Sequence, residues 1–133
     1  MAFVTHLTSY LNNNLTNGRK SMKIAIPEAN GKLATHFGHC ENFAFFTVDL
    51  HKRTLIDRKD MTPPPHEPGL LPNWLAEHGV EMIIAGGMGE RAKDLFVQRG
   101  ITVYTGAPVA EPEQLVQNFM MGSLSLGANV CDH

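Results

Sequence analysis

The chain has 133 residues, 43 % of them hydrophobic and 18 % charged, with a net charge of −2. This is the make-up of one soluble globular domain able to bury a core, and it excludes a disordered or fibrous chain. Scattered basic residues exclude a coat for nucleic acid or anionic membrane, and no apolar run approaches the ~18 residues of a membrane span.

Residues 1–21 read as an extension. Phe3, Leu7, Leu11 and Leu15 recur every four residues as one amphipathic stripe. Asn12-Asn13-Asn14 and Asn17-Gly18 then break it. The segment lacks the early positive charge and continuous apolar stretch of a secretory signal. A flexible extension is expected, the alternative being a helix that docks on a partner or second copy. The folded domain is expected over residues 22–122, followed by a tail over 123–133.

Residues 24–27 predict a short buried strand that opens on Met22-Lys23. A loop over 28–41 follows. Residues 43–50, rich in aromatics, predict a second strand. His51-Lys52 turns the chain into a more polar third strand over 53–60, expected at a sheet edge. Pro63-Pro64-Pro65 makes the next stretch a loop. Leu70, Leu71, Trp74, Leu75 and His78 fall at helical spacing, stopped by Gly79. His78, at that helix end, reads as structural.

Residues 81–85 predict a continuous apolar strand of the doubly covered kind. Gly86-Gly87-Met88-Gly89 turns the chain into a helix over about residues 90–99. A short strand at 101–104 and a helix from Pro112 to Gly122 complete the order β-β-β-α-β-α-β-α. Right-handed crossovers then imply a mixed five-stranded α/β sheet of order 3-2-1-4-5, strand two antiparallel, with helices on both faces.

That topology brings three polar loops to the carboxyl edge of the sheet. They carry His36, His39 and Cys40; His66 and Glu67; and Gly86, Gly87 and Gly89. A crevice is expected between strands one and four, where open α/β sheets bind ligands. Seven His stand beside two Cys, too few for a disulfide framework. Imidazole and thiolate suit borderline and soft metals, so His36, His39 and Cys40 are candidate ligands. The competing reading makes one His a backbone partner and Cys40 a small buried residue. His66, in a stiff proline loop, is a further candidate ligand or a solvent-exposed residue.

Cys131-Asp132-His133 is a ligand pattern at the end of the chain. The tail leaves the far edge of the sheet, but about eleven extended residues reach ~35 Å. It can return to the crevice or serve a neighbouring subunit. Both Cys are expected as thiolates toward a soft metal rather than as a disulfide.

Gly87, Gly89 and Ala92 fit G-x-G-x-x-A between a strand and a helix, which offers N–H donors to an anion. The acidic residue of a dinucleotide site is missing after Tyr104-Thr105-Gly106. An anion cradle is therefore expected rather than NAD, with a tight packing turn as the alternative. No G-x-S-x-G is present, and Ile24-Ala25-Ile26 carries no carboxylate, which counts against metal-assisted hydrolysis.

Together these segments resemble the dinitrogenase iron-molybdenum cofactor biosynthesis family, which includes NifX-type carriers and the orange protein. The resemblance runs from about Met22 to Gly122. It rests on Lys23-Ile-Ala-Ile-Pro27, His36-Phe37-Gly38, the strand from Phe43, Pro72-Asn-Trp-Leu, Ile84-Ala-Gly-Gly-Met-Gly89 with Arg91-Ala92, and Gly100-Ile-Thr-Val. It implies a three-layer ribonuclease-H-like fold. It implies a small cytoplasmic carrier, not an enzyme, that holds an iron–sulfur or molybdenum–sulfur cluster or its precursor. His36, Phe37, Gly38, Gly86, Gly87 and Gly89 match the family's motifs. The partners implied are the cluster and cofactor-assembly or acceptor proteins, with a homodimer as one arrangement and neither nucleic acid nor membrane. Two competing functions are a regulatory module binding a nucleotide or phosphate at the glycine turn, and a subunit that makes a protein contact through the N-terminal stripe.

Overall fold

A computed structural model describes residues 21–65 and 69–128. The elements in chain order are β1 (Ser21–Ala29), β2 (Lys32–Leu33), a 3-10 turn (Phe37–His39), β3 (Asn42–Asp49) and β4 (Thr54–Met61). There follow α1 (Leu70–Glu77), β5 (Met82–Ile84), α2 (Glu90–Gln98), β6 (Thr102–Tyr104) and α3 (Pro112–Met120).

The sheet has six strands, not five. Its path is β4-β3-β1-β5-β6, and β2 pairs with β1 off that path. β1 runs parallel to β5 and β5 to β6, while β3 is antiparallel to both β1 and β4. The added strand comes from Asn30-Gly31. Both residues take positive φ, 57° and 78°, as a two-residue hairpin turn requires, and Asn-Gly is the pair that tolerates it best. Ala29 then faces Lys32 and Glu28 faces Leu33.

Strand alternation divides the buried residues into two layers. Ile24, Ile26, Ala44, Phe46, Met82 and Ile84 point to one face, against Leu115, Val116 and Phe119 of α3. Ala25, Phe43, Phe45, Ile83 and Ala85 point to the other, against Leu71 and Leu75 of α1 and Phe96 of α2. The chain after α3 is also part of the fold. Leu124 is fully buried in the first layer and Leu126 packs against it. The tail expected over 123–133 therefore divides, with residues 123–128 described and 129–133 outside the described residues. Residues 1–20, including the N-terminal stripe, also lie outside them.

β1 is longer than the apolar run 24–27 and takes in the polar residues Lys23 and Glu28, both of which have partners. Glu28, expected in a loop, lies inside the strand and is 2 % exposed. The expectation that strand one carries no carboxylate is thus corrected, since its test covered only residues 24–26. Asn42 Nδ2 donates to Glu28 Oε1 at 2.9 Å. The Arg58 guanidinium on β4 reaches Glu28 Oε2 at 3.0 Å, Asp60 at 2.8 Å and Glu113 of α3 at 3.1 Å. It also lies 5.3 Å from the Phe46 ring centroid.

Burial, and then the Asp60 charge, push the Glu28 carboxyl up to about 7, against the pull of Arg58. Asp60 is held low, chiefly by its hydrogen bond with Arg58. A folded Glu28 that keeps its proton above the ordinary value of 4.5 binds more protons than the unfolded chain. Its contribution is fully present below that value and is lost as pH rises to about 7. Urea denaturation should therefore show wild-type stability falling relative to Glu28→Gln across that window, with the difference flat above it. A pH-independent difference would show that folding does not raise the Glu28 pKa.

Candidate functional site

The pairing of β5 with β1 ends at Ala25 and Ile83. The next partner of β5 is the loop that follows the β1–β2 hairpin. Gly87 N–H donates to Thr35 O at 2.7 Å, and Phe37 N–H donates to Gly87 O at 2.7 Å. His36 and Gly87 thereby form a parallel bridge. The expected crevice between strands one and four is filled at this level by the backbone of residues 34–37. This approach needs a residue without a side chain. A Cβ on Gly86 would lie 2.9 Å from Thr35 O and 3.0 Å from Ala34 O, closer than Cβ atoms come to backbone.

The bridge fixes where the His loop stands. The chain then makes the 3-10 turn at Phe37–His39, with His39 N–H on His36 O at 3.0 Å. That single turn brings the His36 and His39 rings together, centroids 5.7 Å apart and tilted by 72°. His36 is half-buried and His39 exposed. Two imidazoles on one tetrahedral centre, with metal–nitrogen bonds of about 2.0 Å, would have centroids about 5 Å apart. The observed separation of 5.7 Å is close to that spacing.

Phe37 points inward, with its ring 5.5 Å from Phe96 and 5.8 Å from Phe43. Its outer edge lines an apolar groove of about 340 Å³, between Leu71 and Pro72 of α1 and Ala92, Leu95 and Phe96 of α2, with Arg91 beside it. Gly38 is exposed, and a Cβ there would meet nothing within 4 Å. The same holds for Gly89, the residue before α2.

Cys40 is packed inward. It is 9 % exposed and belongs to the aromatic layer with Phe37, Phe43 and Leu75. Burial pushes its thiol up to about 11. A thiol so placed stays protonated at neutral pH in the metal-free chain, and Cys40 packs there as a small core residue. The glycine turn also differs from an open anion cradle, because the Gly87 N–H is committed to Thr35 O. His66, Cys131 and His133 lie outside the described residues. Among those described, no three His, Cys, Asp or Glu side chains converge as a metal-binding group.

His78 is structural, as read from the sequence. Its Nδ1 donates to Trp74 O at 2.7 Å, its ring lies 4.9 Å from Trp74, and its own carbonyl accepts from Lys23 Nζ at 2.9 Å. Thr35 was missed as part of the site because its contribution is a backbone carbonyl, which no residue type signals. No helix among the described residues is long and apolar enough to cross a membrane.

The chain belongs to the dinitrogenase iron-molybdenum cofactor family, whose profile matches residues 20–122. It is 30 % identical to the uncharacterized protein MJ0580 of Methanocaldococcus jannaschii over 108 residues, 79 % of this chain and 91 % of that one. Among solved structures it resembles PH0822 at 28 % identity with a TM-score of 0.71, covering 80 % of this chain and 96 % of that one. The apo orange protein of Desulfovibrio gigas shares the fold, at 22 % identity with a TM-score of 0.62 over 81 % of this chain and 94 % of that one.

Two outcomes are expected. Gly86→Ala should lower stability by about 1–3 kcal/mol, and amide exchange at Phe37 and Gly87 should speed up. Unchanged exchange would mean that the bridge does not depend on the missing side chain. Native Cys40 should be alkylated at pH 8 about a hundredfold more slowly than a model thiol, because so little is thiolate. Comparable rates would place the thiol outside the core.

Proposed function

We propose that the chain is a non-catalytic carrier or scaffold for an iron–sulfur or molybdenum-containing metal cluster, or its precursor, held at the carboxyl edge of the sheet. Membership of the cofactor family supports the cluster theme. The observation that carries the reading is the His36–His39 pair, 5.7 Å between ring centroids on a loop anchored by the Gly87 bridge. Imidazole is a fitting donor for iron, copper or zinc.

The surroundings support the same cargo. A thiometallate cluster is a soft-edged anion. The groove beside Phe37 offers apolar contact to its sulfur atoms and the Arg91 guanidinium to its charge. Phe37 and Gly38 present the two imidazoles, Gly86 and Gly87 hold the loop in place, and Gly89 leaves room at the start of α2. In this reading the sheet path β4-β3-β1-β5-β6 is that of a three-layer ribonuclease-H-like fold. The protein works in the cytoplasm, where it receives its cargo from an assembly protein and passes it to an acceptor.

Protein purified without oxygen should absorb visible light and contain iron, molybdenum or copper. His36→Ala with His39→Ala should lower that content strongly while leaving the circular dichroism unchanged. Unchanged metal content in the double variant would sink the assignment. A colourless protein whose melting temperature rises with nucleotide would favour a phosphate-binding module instead.

A further inference from the structure

A hollow of about 160 Å³ lies near the edge of the sheet where β1 begins, opposite the His loop. Strand register builds it. Lys23, Thr47 and Asp57 stand in one row across β1, β3 and β4, and Phe45 faces Lys59 in the next row. Strand alternation puts all five on the sheet face that packs α1. His78, where α1 ends, supplies the wall. Its ring lies 5.6 Å from Phe45 and 4.9 Å from Trp74.

The floor and wall are aromatic and the rim is basic. The His78 ring is held in place because its Nδ1 donates to Trp74 O at 2.7 Å. A flat apolar ring can lie against it and against buried Phe45. On the rim, Lys23 Nζ donates to His78 O at 2.9 Å, which uses one of its three N–H donors and leaves two. Among the described residues, the side chains of Lys59 and Asp57 have neither an ion pair nor a hydrogen bond. Two ammonium groups against one carboxylate give the hollow a positive potential, which draws an anion. Drug-sized ligands fill about 300–1,000 Å³. A hollow of 160 Å³ has room for one ring and one acidic group.

We propose that this hollow binds a small monocyclic aromatic carboxylate, with its ring against Phe45 and His78 and its carboxylate on Lys23 and Lys59. The site stands at the other edge of the sheet from His36 and His39 and does not depend on the carrier reading. Asp57 faces the same space and opposes the carboxylate, so it sets a ceiling on the affinity for anions.

The probe is benzoate, titrated into the full-length protein at low ionic strength and followed by calorimetry and by Trp74 emission. Trp74 is the chain's only tryptophan and stacks on the wall of the hollow. One benzoate per chain is expected, bound more weakly as salt is added. Lys59→Ala should raise the Kd about 3- to 10-fold, and Asp57→Asn should lower it about 2- to 5-fold. Opposite signs from two exposed rim positions follow from charge and not from a general loosening of the fold. Acetate and inorganic phosphate, which lack the ring, should bind about tenfold more weakly than benzoate. The His36→Ala, His39→Ala double variant should bind benzoate as the wild type does. The proposal is overturned if neither heat nor emission change appears up to about 10 mM benzoate. It is also overturned if the two rim variants shift the Kd in the same direction or not at all. Phosphate binding as tightly as benzoate would overturn the ring contact, and loss of benzoate binding in the His double variant would overturn the placement.

Discussion

The geometry of the candidate site depends on the absence of one side chain, at Gly86. Because nothing stands on that α-carbon, the carbonyls of Ala34 and Thr35 lie where a Cβ would have excluded them. The two hydrogen bonds of the Gly87 bridge then form at 2.7 Å each. They convert the first residues of a long loop into a short extension of the sheet. A loop tied at that point has little freedom left. The 3-10 turn that follows places the two imidazole rings 5.7 Å apart. Binding groups set on a fixed scaffold lose less entropy on engaging a ligand.

Much of this arrangement was legible in the sequence. The aromatic strand from Phe43, the helices begun by Leu70 and Pro112, and the apolar run at Met82 announce themselves through period and burial. The positions of His36 and His39 at the carboxyl edge follow from that order. What was not legible has three physical causes. A two-residue strand carries no period, so β2 was invisible except through Asn30-Gly31, whose turn chemistry is the stronger signal. Glu28 looks like a loop residue until Arg58, thirty positions later, supplies the counter-charge that lets it be buried. And Cys40 beside two histidines reads as a ligand from spacing alone, whereas its direction into the Phe37–Phe43 layer is set by packing.

The molecule keeps its two kinds of polar chemistry apart. Glu28, Arg58, Asp60 and Glu113 form one connected charge network next to Phe46 and α3. The His pair belongs to the loop whose Phe37 packs in the other layer, near α2. Arg58 is paired with three carboxylates, so it is not a free cation. The Glu28–Arg58 pair also fixes strand register. β4 is mostly exposed and has little apolar pattern to specify its pairing. A slip by one residue would turn Arg58 to the opposite face and leave a buried carboxyl without its partner.

β4 also determines how the sheet stops. Its run Asp57-Arg58-Lys59-Asp60 is charged at every position, and its pairing with β3 shifts register between Thr47 and Val48. The opposite border, β6, is only three residues long. A foreign strand approaching either border meets charge and a broken ladder on one side, and almost no ladder on the other. Among the described residues, both borders of the sheet thus disfavour growth by addition of strands.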